Sequence, residues 1–242
     1  MSVLLEVRDV SCTFGATRAV DKVSFAVRGG ELLGLIGPNG AGKSTLFNLI
    51  AGVLPPSGGR IMLDGADVTG WKSFEMARAG VARTFQIPKP YRQLSVIENV
   101  MISAFLRERS VAAARALADH TLANLGLAPY RDRLASELTV GLLKRLEVAR
   151  VLVMQPKLVL FDEIMAGLTP TEVGAMTEIV ASLPARGITV IWVEHVLYAI
   201  MKTATRMVVI NRGSVIAEGA PSAVARDPLV VKAYLGEEMQ LA

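Results

Sequence analysis

The chain has 242 residues, of which 52% are hydrophobic and 5% aromatic, and its formal net charge is +4. This length suits one large domain with a substantial core, and no run reaches the ~18 apolar residues that a membrane span requires. The absence of a dense Lys/Arg block and the few aromatic residues argue against a nucleic-acid partner. Cys12 is the only cysteine, which excludes an internal disulfide and favours a reducing compartment, and we expect no signal peptide at the N-terminus.

The first third of the chain predicts strands that lead into a glycine-rich loop. Alternating apolar residues predict strands at 4–7 and 20–27, and residues 28–30 are interpreted as a hairpin-like turn into a buried strand at 32–36. The next segment, GPNGAGKST, precedes a helical pattern and fits G-x-x-x-x-G-K-[ST], a phosphate-binding loop in its strand–loop–helix context. Its residues are Gly37, Pro38, Asn39, Gly40, Ala41, Gly42, Lys43, Ser44 and Thr45.

The chemistry of a phosphate site explains these residue types. Glycines let the backbone approach a phosphate closely, and successive N–H groups with a helix N-terminus face the anion. Lys43 is expected to reach the terminal phosphates, and the Ser44 hydroxyl to bind Mg²⁺. A plain glycine-rich turn is the alternative, but every fixed position is filled, so the chain is expected to bind a nucleoside triphosphate. For Phe14, upstream in a turn, stacking on a purine and ordinary packing both remain open.

The middle of the chain changes from strand to helix patterns. A turn at 55–59, a strand in GRIMLDG and a helix at 73–79 precede a strand at 81–85, which ends at Gln86 and the proline-containing IPKP. Gln86 is either placed to be moved by a partner or an ordinary loop residue. Residues 88–149 show helical periodicity at 95–105 and 110–125, with Gly126 as a stop. We interpret 88–149 as a helical subdomain inserted into an α/β core.

Two buried strands in the second half end in polar residues. Thr139 is a helix cap or an anion-binding hydroxyl before a helix at 141–153. The strand at 157–161 ends in Asp162 and Glu163, where α/β proteins place ligands, so Asp162 is expected to hold Mg²⁺ and Glu163 to polarise a water. Capping of the next helix by these carboxylates is disfavoured because Gly167, Thr169 and Pro170 intervene. The strand at 188–193 ends at His195, for which a phosphate contact is favoured over a structural role. A hairpin at 206–217 and short helices at 220–226 and 229–235 complete the chain.

With these segments in order, the sequence resembles the ATP-binding cassette (ABC) ATPases over nearly its whole length. GPNGAGKST resembles the family's phosphate loop, and LVLFDE its magnesium strand with the catalytic glutamate at Glu163. Gln86 in RTFQ is similar to the glutamine that senses the γ-phosphate and couples to the membrane subunit, and His195 in VEH to the switch histidine. Phe14 resembles the aromatic residue that stacks on adenine. LTVGL stands where the family has its LSGGQ signature, so Thr139, Val140, Gly141 and Leu142 are expected to contact ATP held by another subunit.

The resemblance implies an α/β P-loop NTPase fold, a mixed or parallel sheet with N-terminal antiparallel strands and an inserted helical subdomain. It implies one domain over 1–242, in which 1–87 and 150–242 form the nucleotide-binding core around the helical residues 88–149. The expected cofactors are ATP and Mg²⁺, with Ser44, Gln86 and Asp162 near the metal. The active unit would be a head-to-tail dimer with itself or with a paralogous subunit.

A finer resemblance comes from RTFQ followed by LSVIENV, from AGLTP, and from AEGAPSAV and AYLGEE near the C-terminus. Together these segments are similar to the ATP-binding subunits of bacterial branched-chain amino-acid importers and their relatives for urea, amides or aromatic acids. That likeness implies integral-membrane permease partners, an indirect link to a periplasmic solute-binding protein, and a peripheral location at the cytoplasmic face of the inner membrane.

Several residues depart from the family pattern. Val140 replaces a glycine and Leu142 a glutamine of the signature, Ile164 replaces a proline, and Thr169 replaces an aspartate or asparagine. The expectation is an active but slower ATPase, and the alternative is a regulatory cassette that has lost hydrolysis. A cassette ATPase of DNA repair or translation is disfavoured because the chain has neither long coiled coils nor a second cassette. A P-loop GTPase or kinase is disfavoured because no N-K-x-D motif is present.

Overall fold

The computed structural model of the protein describes residues 2–238. Within this range the strands form two sheets, one of four strands in the order β2-β1-β4-β5 and one of six in the order β10-β9-β3-β8-β7-β6. The first contains β1 (Val3–Phe14), β2 (Thr17–Arg28), β4 (Gly58–Leu63) and β5 (Ala66–Asp67). The second contains β3 (Leu32–Ile36), β6 (Val81–Arg83), β7 (Leu158–Asp162), β8 (Thr189–Val193), β9 (Arg206–Asn211) and β10 (Ser214–Gly219). The predicted α/β fold with N-terminal antiparallel strands is confirmed.

The antiparallel sheet is more extensive than the sequence predicted. β1 and β2 have 12 residues each, because Gly15 adopts a positive φ of 58° and the chain reverses through Gly15 and Ala16 alone. Phe14 therefore lies at a strand end, paired with Thr17. The hairpin-like turn predicted at residues 28–30 is wrong, since β2 pairs with β1 whereas β3 joins the other sheet.

The six-stranded sheet brings four loops to one edge. β3 pairs in parallel with β8 and β9, β8 with β7, and β7 with β6, while β10 runs antiparallel to β9. β6 ends at Arg83 rather than at the predicted Phe85, because the Phe85 N–H donates to the Glu147 carboxylate (2.6 Å) instead of to a strand. The parallel strands present their carboxyl ends, and the loops that follow them, on the same side.

Helices cover the six-stranded sheet, and the two faces of the sheet belong to two hydrophobic cores. Alternate residues of β3 point to opposite sides: Leu32 and Ile36 pack with the helices of the middle region, whereas Leu33 and Leu35 pack towards the antiparallel sheet. The helices are α1 (Lys43–Ile50), α2 (Ser73–Ala79), α3 (Val96–Ala104), α4 (Val111–Asn124), α5 (Val140–Leu152), α6 (Pro170–Ser182), α7 (Leu197–Thr203), α8 (Pro221–Val224) and α9 (Pro228–Glu238). Across residues 2–238, no helix has the length and apolar character needed to cross a bilayer.

The middle helices start and stop where the sequence predicted, within one or two residues. Ser95 caps α3 by accepting a hydrogen bond from Glu98 N (3.3 Å), and Gly126 follows α4 with a positive φ of 66°. α5 begins at Val140, one residue before the predicted start, with Thr139 as its cap. The helix α7, directly after His195, was not predicted. Because the apolar residues of α3, α4 and α5 share one core with the sheet, the boundary at 88–149 stays a prediction.

Candidate active site

The phosphate loop leads from β3 into α1, and at two of its glycines neighbouring backbone lies too close to admit a side chain. A Cβ on Gly37 (φ 154°) would lie 2.0 Å from Ile210 O, and one on Gly42 (φ 104°) would lie 2.4 Å from Ala19 O. Lys43 begins α1 and is 7% exposed, and its Nζ donates to the carbonyls of Gly37 (2.6 Å) and Pro38 (2.7 Å). The loop is thus folded around its own lysine, with Ser44 exposed in the first turn of α1.

Two predicted residues, Gln86 in the loop after β6 and His195 in the loop after β8, meet at Glu163, which follows β7. Its Oε2 accepts a hydrogen bond from Gln86 Nε2 (2.5 Å), and its Oε1 lies 2.8 Å from His195 Nε2. Glu163 adopts a left-handed φ of 49°, and its N–H donates to Val193 O (2.9 Å) in β8. A non-glycine residue in this conformation is uncommon and is held here by the neighbouring strand. The geometry brings together the amide, the imidazole and the carboxylate that the sequence singled out.

Asp162 is the buried carboxylate of the site. Its side chain is 7% exposed and lies 3.5 Å from the Arg83 guanidinium, and the Lys43 ammonium also attracts it. Burial raises the pKa of Asp162, and the attraction of Arg83 opposes that rise. Thr84 Oγ1 accepts a hydrogen bond from Asp162 N (3.1 Å), which fixes the strand end.

The donor set around Asp162 fits Mg²⁺ by its chemistry. Carboxylate, hydroxyl and amide oxygens are the ligands that this ion prefers, and it is usually held by one or two carboxylates together with substrate phosphates. Of the residues predicted for the metal, Asp162 could supply a carboxylate, and Ser44 and Gln86 could supply neutral oxygens. In the described part of the chain, His, Cys, Asp and Glu residues form no group of three or more that could hold a metal alone.

The four signature residues, 139–142, lie at the start of α5 and beside α6. Thr139 Oγ1 accepts from Leu142 N (3.4 Å), so its hydroxyl caps α5, and Val140 is 54% exposed. Leu142 is partly buried against the core. A Cβ on Gly141 would lie 2.0 Å from Glu172 Oε1, so the end of the Glu172 side chain would have to move aside for any larger residue.

Two of the departures from the family pattern have local roles in the structure. Thr169 caps α6: its hydroxyl donates to Glu172 Oε2 (2.8 Å) and accepts from Glu172 N (3.4 Å), in a reciprocal capping box. Ile164 is fully buried in the core behind Glu163. Phe14 is 51% exposed at the end of β1, so its ring is accessible to a ligand.

Sequence reasoning missed a set of buried charged residues behind the site. Lys144 (3% exposed), Glu147 (5%) and Glu194 (4%) all lie within the protein, and the Glu194 carboxylate accepts from Met165 N (2.7 Å) and His195 N (3.3 Å). Burial lowers the pKa of Lys144 and raises that of Glu147 and of Glu194. The available signal was the i, i+3 spacing of Lys144 and Glu147 on a helix whose other residues are mostly apolar.

Comparison with known proteins adds family matches to this geometry. The family model described as "ABC transporter" matches residues 20–166, and the model described as "Branched-chain amino acid ATP-binding cassette transporter" matches residues 214–239. The high-affinity branched-chain amino acid transport ATP-binding protein BraF of Pseudomonas aeruginosa is 35% identical, with 97% of this chain and 98% of BraF covered. Its counterpart LivG of Escherichia coli K12 is 36% identical with the same coverage. The lipopolysaccharide export system ATP-binding protein LptB of Acidithiobacillus ferridurans is 33% identical, and both chains are covered completely.

Solved structures agree with the sequence comparisons. A nucleotide-free ATP-binding cassette from an ABC transporter superposes with a TM-score of 0.88 at 32% identity, covering 96% of this chain and 99% of that one. The ADP conformation of an ATP-binding cassette superposes with a TM-score of 0.89 at 33% identity, covering 98% of this chain and all of that one. The likeness therefore extends over both sheets and the helices between them.

Proposed function

The chain belongs to the ABC transporter ATP-binding family and is an ATPase, and from this premise we propose that it powers the import of branched-chain amino acids or related small polar solutes. The substrate proposal is supported by the names of the relatives and by the match at residues 214–239 to a branched-chain amino acid cassette family. Lipopolysaccharide export is the second candidate, favoured only by the full-length likeness to LptB.

The observation that carries the catalytic proposal is the meeting of Gln86 and His195 on the Glu163 carboxylate. Glu163 is the general base that polarises the attacking water. His195 and Gln86 lie within hydrogen-bond reach of Glu163 and respond to the terminal phosphate. Lys43 exchanges its bonds to the loop carbonyls for bonds to the phosphates of ATP. Asp162, Ser44 and Gln86 would hold Mg²⁺, which would neutralise charge on those phosphates.

The proposed active unit is a head-to-tail dimer, with itself or with a paralogous subunit. The exposed Val140 and the capped start of α5 form a surface from which residues 139–142 reach ATP bound to the other subunit. Leu142 packs inwards and offers no polar group to that nucleotide. One lost polar contact costs about 1–3 kcal/mol, so the chain is expected to hydrolyse ATP about ten- to a hundredfold more slowly than a cassette with the full signature.

Transport function requires partners that carry the solute across the membrane. We infer integral-membrane permease subunits, a periplasmic solute-binding protein that acts through them, and a peripheral location at the cytoplasmic face of the inner membrane. In this arrangement residues 88–149 form the helical subdomain that passes motion between the permease and the nucleotide-binding core.

Uptake and hydrolysis measured together test the proposal. Cells lacking this chain should take up labelled leucine, isoleucine or valine at a reduced rate, restored by the parent protein but not by Lys43→Ala. Purified protein should show Mg²⁺-dependent ATP hydrolysis whose rate per subunit rises with protein concentration, as sites shared across a dimer require. Unchanged amino-acid uptake with impaired lipopolysaccharide export would favour the second candidate. A rate per subunit independent of concentration down to the lowest level measured would contradict a dissociating dimer.

A further inference from the structure

One face of α5 carries a row of charged residues that holds the backbone of the loop containing Gln86, defined here as the 85–89 segment. Lys144, Glu147 and Arg150 are spaced three residues apart, which places them on one side of a helix. Lys144 Nζ donates to Gln86 O (2.6 Å), the Phe85 N–H donates to Glu147 Oε1 (2.6 Å), and Arg150 Nη1 donates to Lys89 O (2.7 Å). Each turn of the helix thus makes one hydrogen bond to this segment.

The Lys144 ammonium also reaches the strand that carries the proposed base. Besides Gln86 O, its Nζ donates to Glu163 O (3.2 Å). The same two residues meet through their side chains, at 2.5 Å between Gln86 Nε2 and Glu163 Oε2. The buried Lys144 ammonium therefore bonds to the backbone carbonyls of both Gln86 and Glu163, and a direct hydrogen bond joins the side chains of the same two residues.

Burying these charged side chains costs folding free energy, and the filling of the core does not explain why charged residues stand here. Lys144 and Glu147 are 3% and 5% exposed, and a buried charge destabilises a fold unless it is well paired. Burial lowers the pKa of Lys144 and raises that of Glu147, which favours the neutral form of each side chain. Glu147 Oε2 has no hydrogen-bond partner among the described residues, so the pairing is incomplete. Apolar side chains at these positions would fill the same core but would leave Phe85 N and Gln86 O unbonded.

We propose that Lys144 and Glu147 are positioning residues, supported by Arg150, that set the place of Gln86 relative to Glu163. α5 starts at the signature residues 139–142 and runs as one helix for 13 residues. Contact at its start with a nucleotide on another subunit is thereby transmitted to the 85–89 segment and to Glu163. The inference rests on the proposed ATPase site, in which Gln86 and Glu163 act on the terminal phosphate.

The test compares variants that remove the side-chain hydrogen bonds of Glu147 or of Lys144 with variants that keep them. Glu147→Leu removes the acceptor for Phe85 N, whereas Glu147→Gln retains an oxygen in its place. Lys144→Met removes the ammonium at similar length. Lys157→Met is the matched control, because Lys157 forms only an exposed ion pair with Asp64, with side chains 56% and 59% exposed.

Turnover, ATP affinity and amide exchange are measured for each variant. We expect Glu147→Leu and Lys144→Met to lower kcat about ten- to a hundredfold with the Kd for ATP within about twofold, as misplacement of a reacting group does. Amide hydrogen exchange should accelerate in residues 85–89 for Glu147→Leu and stay near the parent rate for Glu147→Gln. Glu147→Gln should also retain most of the turnover, and Lys157→Met all of it.

Two results would overturn the proposal. The first is parent-like turnover in folded Glu147→Leu and Lys144→Met. The second is a joint loss of turnover, ATP affinity and exchange protection throughout the chain, which indicates a structural role only. If the parent protein itself does not hydrolyse ATP, the proposed function fails, and the exchange of residues 85–89 still reports whether α5 holds this segment.

Discussion

Replacing Glu163 by glutamine should remove the proposed base and leave its two hydrogen-bonded contacts in place. The Glu163 carboxylate has two neighbours, Gln86 Nε2 at 2.5 Å and His195 Nε2 at 2.8 Å. In Glu163→Gln the amide oxygen can accept from Gln86, and the amide nitrogen can donate to His195 in the tautomer protonated on Nδ1. Both contacts therefore survive while the basic group is lost. Glu163→Ala, by contrast, removes the base and both contacts.

The expected magnitudes separate the two variants. Loss of a general base lowers kcat by about 10²- to 10⁴-fold, equivalent to about 2.7–5.4 kcal/mol of transition-state stabilisation. We expect this decrease for both variants. Stability should differ: Glu163→Gln should unfold like the parent, whereas Glu163→Ala should lose about 1–3 kcal/mol for two hydrogen bonds.

Steady-state hydrolysis, nucleotide binding by calorimetry and urea unfolding measure these quantities in parallel. ATP affinity should be retained in Glu163→Gln. An ATP-bound dimer of this variant should accumulate, because the variant does not hydrolyse the ATP and the dimer does not dissociate. Glu178→Gln, at an exposed position of α6, controls for the loss of one negative charge. Hydrolysis by Glu163→Gln at the rate of the parent protein would refute the assignment of Glu163 as the base.

Three further predictions concern the loop, the signature and a buried acid. Lys43→Ala should abolish detectable ATP binding by calorimetry, because it removes the ammonium group that binds the terminal phosphates. Unchanged affinity would contradict the loop assignment. Gly141→Ala should raise the free energy of unfolding by up to about 1 kcal/mol in a Glu172→Ala background but not in the parent, where the new Cβ would lie 2.0 Å from Glu172 Oε1. An equal gain in both backgrounds would show that the two residues are not coupled. Because burial raises the pKa of Glu194 above its ordinary 4.5, the parent should lose stability relative to Glu194→Gln as the pH rises above 4.5. Urea unfolding of both proteins between about pH 4.5 and 8 measures this difference, and a constant difference would contradict it.

The strands and loops of the site could be predicted because their signals are local. A short apolar run that ends in polar residues is typical of a buried parallel strand, and this pattern located the loops after β3, β7 and β8. The phosphate loop required only its spacing and its flanks. The family resemblance singled out Gln86, Glu163 and His195 one by one, and the structure shows that the edge shared by the parallel strands brings them together.

The features that escaped prediction depend on contacts between distant segments. β6 ends early because Phe85 N bonds to Glu147, 62 residues away in sequence. Polar residues on β1 and β2 concealed strands that run to 12 residues, since one face of that sheet is exposed. Thr169 was counted only as a departure from a family pattern, whereas its hydroxyl and Glu172 form the cap of α6. Lys144 on a helix is ordinarily a solvated charge, and only the fold shows it to be buried.

The strand order has a consequence for how the protein is made. β3, which feeds the phosphate loop, lies between β8 and β9, so residues 32–36 pair with residues 190–192 and 206–209. During synthesis the phosphate loop emerges early, but its flanking strands emerge only after most of the chain has been translated. Such distant pairing is slow and leaves apolar strands uncovered in the meantime. We therefore expect the nucleotide site of a nascent chain to be complete only after β9 has been translated, so that ATP does not stabilise its early folding intermediates.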